Sequence, residues 1–106
     1  METKDWNAWI DLMPPKPNHF HVTGMVYVGN PGIEATLKPR VPQGINPTIL
    51  LLDLFLEQKP GGWNQVMTWV EARYDLELGS ESTRYTQVEI FLDDTSIAEI
   101  DVKEVH

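Results

Sequence analysis

Apolar side chains recur at every second position through most of the chain. Val88, Ile90 and Leu92 alternate with Gln87, Glu89 and Phe91, and a second alternating run spans residues 98–103. Glycine and proline interrupt these runs at intervals of roughly ten residues, a pattern typical of short β-strands joined by turns. We predict seven strands, at residues 5–12, 19–29, 33–38, 48–57, 65–76, 84–92 and 97–103.

The number and spacing of these strands indicate a fold class. Seven short antiparallel strands with frequent turns are typical of an all-β sandwich of the immunoglobulin-like type. A length of 106 residues fits a single globular domain, residues 1–106. Among the turns, Asn30-Pro31-Gly32 predicts a tight reverse turn with Gly32 at positive φ, and Asp93-Asp94 predicts another.

One segment is compatible with two periods. In residues 59–74, a period of 3.6 places Val66, Met67 and Val70 on one stripe, whereas a period of two places Val66, Val70 and Tyr74 on one face. We favour a strand, because residues 65–76 follow another strand through a Pro-Gly turn. A helix over residues 63–75 is the alternative, and it would make the protein α+β.

If residues 48–57 and 65–76 pair as a hairpin, one face is a consistent core and the other is partly apolar. A sandwich sheet buries one face only, so an apolar outer face needs a cover, such as a proline-rich loop, a second subunit or a ligand. We therefore predict a binding surface on this outer face, with acidic and basic residues at its edge. Its members are Ile49, Leu51, Asp53, Phe55, Met67, Trp69, Glu71 and Arg73.

Charge and composition exclude several partners. The net charge is −8, and residues 71–106 carry ten acidic residues against three basic ones. Such a surface repels nucleic-acid phosphates and anionic membranes, so neither is an expected partner. The longest apolar run, residues 49–52, is too short to span a bilayer, and the first residues have no apolar stretch of signal-peptide length, so we expect a protein that is not exported by a cleaved signal. With no cysteine, disulfides are absent, which fits a cytoplasmic protein.

Little catalytic chemistry is present in the sequence. There is no cysteine nucleophile, no nucleophile elbow and no phosphate-binding glycine loop, and no catalytic residue is assigned. His19 and His21 would project from the same face of a strand, about 7 Å apart. Because no third ligand can be assigned, we predict no metal site and no cofactor.

These observations favour a non-catalytic binding or interaction domain. The expected partner is another protein or a second copy of the chain, as a homodimer. The alternative is a small metal- or ligand-binding protein or enzyme centred on His19 and His21.

Overall fold

The computed structural model describes residues 2–14, 17–78 and 85–105, and this part of the chain contains seven β-strands and no helix. The first residue of the predicted sixth strand, at position 84, lies outside the described residues. The strands are β1 Thr3–Asp11, β2 Asn18–Val28, β3 Ile33–Pro39, β4 Ile49–Gln58, β5 Thr68–Leu78, β6 Gln87–Leu92 and β7 Thr95–Val105.

The prediction of an all-β protein with about seven strands is confirmed, and the helical alternative over residues 63–75 is wrong. Residues 68–78 form β5, with Ala72 buried and Val70 and Tyr74 half-buried on the inner face. Inward and outward side chains therefore alternate with a period of two in this segment. Residues 65–67 precede the strand rather than belonging to it.

The strands form one sheet that wraps around a common core in the order β3-β4-β6-β7-β1-β2-β5. Its two terminal strands, β3 and β5, approach each other without forming a ladder, so the sheet is a nearly closed barrel. The β1–β7 and β4–β6 pairs are parallel, and the other neighbouring pairs are antiparallel. The prediction that all strands pair antiparallel is therefore wrong, and an immunoglobulin-like sandwich is not confirmed by this arrangement.

β7 joins the two halves of the sheet. Its first half pairs with β6 through Thr95–Asp101, and its second half pairs with β1 through residues 102–105. The alternating inner side chains of all seven strands meet in one core. The largest fully buried members are Phe20, Ile10, Leu52, Ile90, Val22, Val26 and Val88.

β1 contains a bulge that turns a tryptophan into this interior. The register with β2 shifts between Lys4 and Asn7, and Asp5 at the bulge has φ of 57°. Asparagine and aspartate tolerate this left-handed conformation better than most residues. Trp6 consequently packs over Gly24 of β2, and its indole N–H donates a hydrogen bond of 2.9 Å to Thr3 Oγ1.

Both predicted turns are present, but one differs in its backbone. Ile33 N donates to Asn30 O over 3.3 Å, which closes a reverse turn, and Asn30 Oδ1 accepts a bond from Gly32 N. The predicted positive φ at Gly32 is wrong. Glycine is required there for space, since a Cβ would lie 2.4 Å from the ring of Trp63. Asp93 and Asp94, both at positive φ, form the two-residue turn between β6 and β7.

Across the described ranges, no helix has the length and apolar content that a membrane span requires.

Candidate functional site

The hairpin that motivated the predicted binding surface does not form. β4 pairs with β3 on one side and β6 on the other, so neither edge of β4 is available to β5. β5 pairs with β2 instead. The predicted surface therefore divides into two groups that lie on either side of β3. Ile49, Leu51, Asp53 and Phe55 belong to β4, Trp69, Glu71 and Arg73 belong to β5, and Met67 precedes β5.

The outer face of β4 is partly covered by the loop that joins β3 to β4, residues 40–48. The side chain of Gln43 extends the β3–β4 ladder, because its Oε1 accepts from Leu51 N and its Nε2 donates to Leu51 O, both over 2.9 Å. Gly44 lies against the Leu51 side chain. Phe55, farther along β4, remains 50% exposed. The β3–β4 loop thus supplies the internal cover for Leu51, but not for Phe55.

Arg40, at the start of this loop, is the centre of an ion-pair network. Its Nη1 donates to Asp53 Oδ1 over 2.6 Å, and its Nη2 donates to Asp94 in the β6–β7 turn. Its guanidinium also lies over the ring of Phe91, with 4.5 Å from Cζ to the ring centroid. These hydrogen bonds, first to Asp94 and then to Asp53, raise the pKa of Arg40 above its ordinary value. The network anchors one end of the loop to β4 and β6.

The anchored loop presents two apolar side chains to solvent. Val41 is 90% exposed and Ile45 is fully exposed. Val41 and Phe55 both line one cleft of about 280 Å³, together with Arg40 and the aspartates at positions 53, 93 and 94. We call Val41, Ile45 and Phe55 the loop surface. Apolar residues inside a proline- and glycine-rich loop were the available sequence signal for it, since such loops are usually polar.

The β5 group is engaged with its neighbours on β1 and β2. The ring of Trp69 lies 4.8 Å from that of Tyr27, and Lys4 Nζ lies 4.2 Å from the centroid of the Trp69 ring. Arg73 pairs with Asp75 two residues farther along β5. Trp69 is half-buried by these contacts, so its outward position does not leave the indole free.

The side chain of Trp63 lies at the gap between β3 and β5. Trp63 packs on Gly32, and its indole N–H donates a 2.9 Å bond to Lys59 O. It lines a cleft of about 250 Å³ with Ala35 of β3 and Val70 of β5. Trp63 therefore fills one end of the gap that prevents full closure of the sheet.

His19 and His21 share the outer face of β2, as predicted. Their ring centroids are 6.1 Å apart, and His21 also lies 5.2 Å from the ring of Trp9 on β1. His21 Nδ1 is 2.5 Å from Asp75 Oδ1, and Arg73 Nε binds the same carboxylate at 2.9 and 3.1 Å. The hydrogen bond from Arg73, with a smaller contribution from His21, lowers the pKa of Asp75.

The ionised carboxylate of Asp75 determines which ring nitrogen of His21 carries the proton. A carboxylate has no proton to donate, so the Nδ1–H of His21 donates to Asp75, and Nε2 remains for a ligand. The described ranges contain no group of three or more histidine, aspartate or glutamate side chains that could hold a metal ion. In the structure, His21 makes a hydrogen bond to Asp75, and the two histidine rings lie close to each other.

Comparisons with known proteins add no function to this geometry. No protein-family model matches the chain, and no curated protein or solved structure is significantly similar to it.

Proposed function

We propose that the protein is a non-catalytic protein-binding domain and that the loop surface is its docking site. The observation that carries the proposal is the almost complete exposure of Val41 and Ile45 on an anchored loop, together with a half-exposed Phe55 that shares a cleft with Val41. Burying one such side chain is worth roughly 1.5–3 kcal/mol. Exposed apolar residues in a cluster are typical of surfaces that bind other proteins.

The anchoring of the loop favours binding. A mobile loop loses conformational entropy when a partner orders it, whereas a loop held in its bound shape does not. Gln43 ties the middle of the loop to β4, and Arg40 ties its start to Asp53 and Asp94. Phe91 supports the guanidinium of Arg40 from beneath. The loop surface therefore projects from a fixed base.

The charges around the cleft indicate the chemistry of the partner. Three aspartates, at positions 53, 93 and 94, line it with Arg40, and Lys38 Nζ lies 5.7 Å from the centroid of the Phe55 ring, so the carboxylates outnumber the cations by one. A complementary segment would present apolar side chains flanked by lysine or arginine. A second copy of this chain would bring a second set of the same carboxylates to the interface. We therefore favour a basic protein partner over the homodimer.

A peptide-display selection tests this proposal with a defined probe. Random peptides selected on the immobilised protein should converge on apolar residues flanked by lysine or arginine. Ile45→Asp should weaken the binding of a selected peptide at least tenfold. The matched control is Val66→Asp, since Val66 is 61% exposed and lies between β4 and β5, outside the β3–β4 loop. It should leave binding unchanged.

Two results would contradict the proposal. One is a selection that yields no shared motif, or a motif whose binding is indifferent to Ile45→Asp. The other is a dimer in sedimentation velocity that Ile45→Asp dissociates, which would assign the loop surface to self-association. Both variants place a charge on an exposed position, so circular dichroism should show an unchanged fold.

We also propose that the wrapped sheet behaves as two facing halves, as in an immunoglobulin-like sandwich. Two observations support this interpretation. The Cα atoms span 46 × 31 × 21 Å, which is flatter than a round barrel. β7 pairs with β6 and then with β1, as a strand does when it passes from one sheet to the other.

A further inference from the structure

The outer face of β1, β2 and β5 carries a row of side chains that no part of the docking proposal uses. Trp9, His21 and Asp75 are direct cross-strand neighbours, and Lys103 of β7 is opposite Trp9 on the other side. Neighbours of this kind have Cβ atoms about 5 Å apart, so the row forms a continuous strip across four strands.

The middle of this strip is already fixed in position. Arg73 holds Asp75 through both carboxylate oxygens, and Asp75 holds the Nδ1 side of His21. Trp9 packs beside His21 with ring planes tilted by 39°. An aromatic side chain and a hydrogen-bonding imidazole are therefore presented together with little freedom left to lose on binding.

The rows on both sides add planar polar groups. Asp11 and Glu77 are opposite His19 on its two sides, and Arg73 is opposite Thr23 in the adjacent row. Around Trp9 and His21 the face thus carries three carboxylates against two cations. The carboxylates are Asp11, Asp75 and Glu77, and the cations are Arg73 and Lys103.

We propose that this face binds a neutral pyranose sugar. One side of a pyranose ring presents C–H groups that pack against an indole, while its hydroxyls donate to carboxylates and to the unprotonated Nε2 of His21, and accept from guanidinium or ammonium groups. The near balance of charge favours a neutral ligand over an anion or a metal cation. Hydrogen-bond donors and acceptors arranged around the flat apolar surface of an indole are complementary to a sugar ring that carries several hydroxyls.

The proposal is independent of the loop surface. Its residues belong to β1, β2, β5 and β7, whereas the loop surface belongs to the β3–β4 loop and β4. Either site can therefore fail without affecting the other. An open face of this kind holds a single chain of sugars weakly, with an expected Kd on the order of 0.1–1 mM.

Nuclear magnetic resonance titration provides the test, since it detects binding of this strength. The ¹⁵N-labelled protein is titrated with neutral pentasaccharides of glucose, mannose, xylose and galactose, and separately with a polyuronic acid pentasaccharide. At least one neutral sugar should shift the indole N–H of Trp9 and the amides of residues 19–23. The indole of Trp69, which packs on Tyr27 at another part of the same face, should not move.

Variants then assign the site. Trp9→Ala and His21→Ala should each weaken the binding at least tenfold. Trp69→Ala, a change of the same size on the same face, should alter it less than twofold. Should Trp9→Ala fail to fold, the shift map of the wild-type protein and His21→Ala decide the matter alone.

Three results would overturn the proposal. The first is that no neutral sugar binds at concentrations up to about 10 mM, and the second is that the chemical-shift changes lie away from Trp9 and His21. Alternatively, the acidic pentasaccharide binds at this face more tightly than every neutral one.

Discussion

Replacing Gly24 by alanine should destabilise the protein through a single clash. Gly24 is buried on the inner side of β2, and a Cβ added there would lie 2.1 Å from Cε3 of Trp6. Carbon atoms in contact lie about 3.5–4.0 Å apart, so the indole would have to move by roughly 1.5 Å. The hydrogen bond from its Nε1 to Thr3 and the bulge at Asp5 resist that movement. Overpacking of this kind costs about 1–3 kcal/mol.

Urea denaturation followed by circular dichroism measures the loss directly. A domain of this size has a free energy of unfolding of about 5–15 kcal/mol, so the change is well within range. The decisive variant is Gly24→Ala combined with Trp6→Leu, where the smaller side chain leaves room for the methyl group. We expect the double variant to be at least about 1 kcal/mol more stable than the sum of the single changes predicts. Additive effects, or a Gly24→Ala variant as stable as wild type, would refute the reasoning.

Three further outcomes are expected. Gly32→Val should cost on the order of 1 kcal/mol or more, because its side chain meets the ring of Trp63; an unchanged melting temperature would contradict this. The lowered pKa of Asp75, due mainly to Arg73, contributes stability that is present above pH 4 and lost as the pH falls through the folded-state pKa. The melting temperatures of wild type and Asp75→Asn should therefore converge below about pH 4, and a constant difference would argue against the ion pair. Zinc titration by calorimetry should show nothing tighter than roughly 10 μM, and a submicromolar isotherm abolished by His19→Ala would reverse this expectation.

Strand existence could be predicted here because alternation is a local property. Val70, Ala72 and Tyr74 face inward in β5 because successive side chains of any strand point to opposite sides. The same property does not identify a partner strand. β4 and β5 have compatible inner faces, yet each would also fit most other strands in the chain. Neighbours in sequence are the usual choice, and both parallel pairs, β1–β7 and β4–β6, depart from it.

The loop surface was missed for a different reason. Leu51 and Phe55 lie on the outer face of β4, as predicted, but whether each is covered depends on where the β3–β4 loop runs, and the loop covers Leu51 alone. That course is set by Gln43, whose side-chain amide imitates a backbone pairing with Leu51. No periodicity marks such a residue in a sequence. Likewise, the contact of Arg40 with Asp94 joins residues from two separate turns and has no local signal.

The parallel pairing of the first strand with the last has a consequence for how the protein is made. β1 cannot acquire its β7 neighbour until residues 102–105 have been synthesised, although its β2 neighbour follows within a few residues. The entropy cost of closing a loop over most of the chain must be met before the β1–β7 hydrogen bonds can form. Folding should therefore be slow for a domain of this length. During translation, the β1–β2 hairpin emerges with both outer edges unpaired, because β5 and β7 are synthesised later, and such edges can join other strands. A nascent-chain chaperone that shields these edges would therefore raise the yield of folded protein.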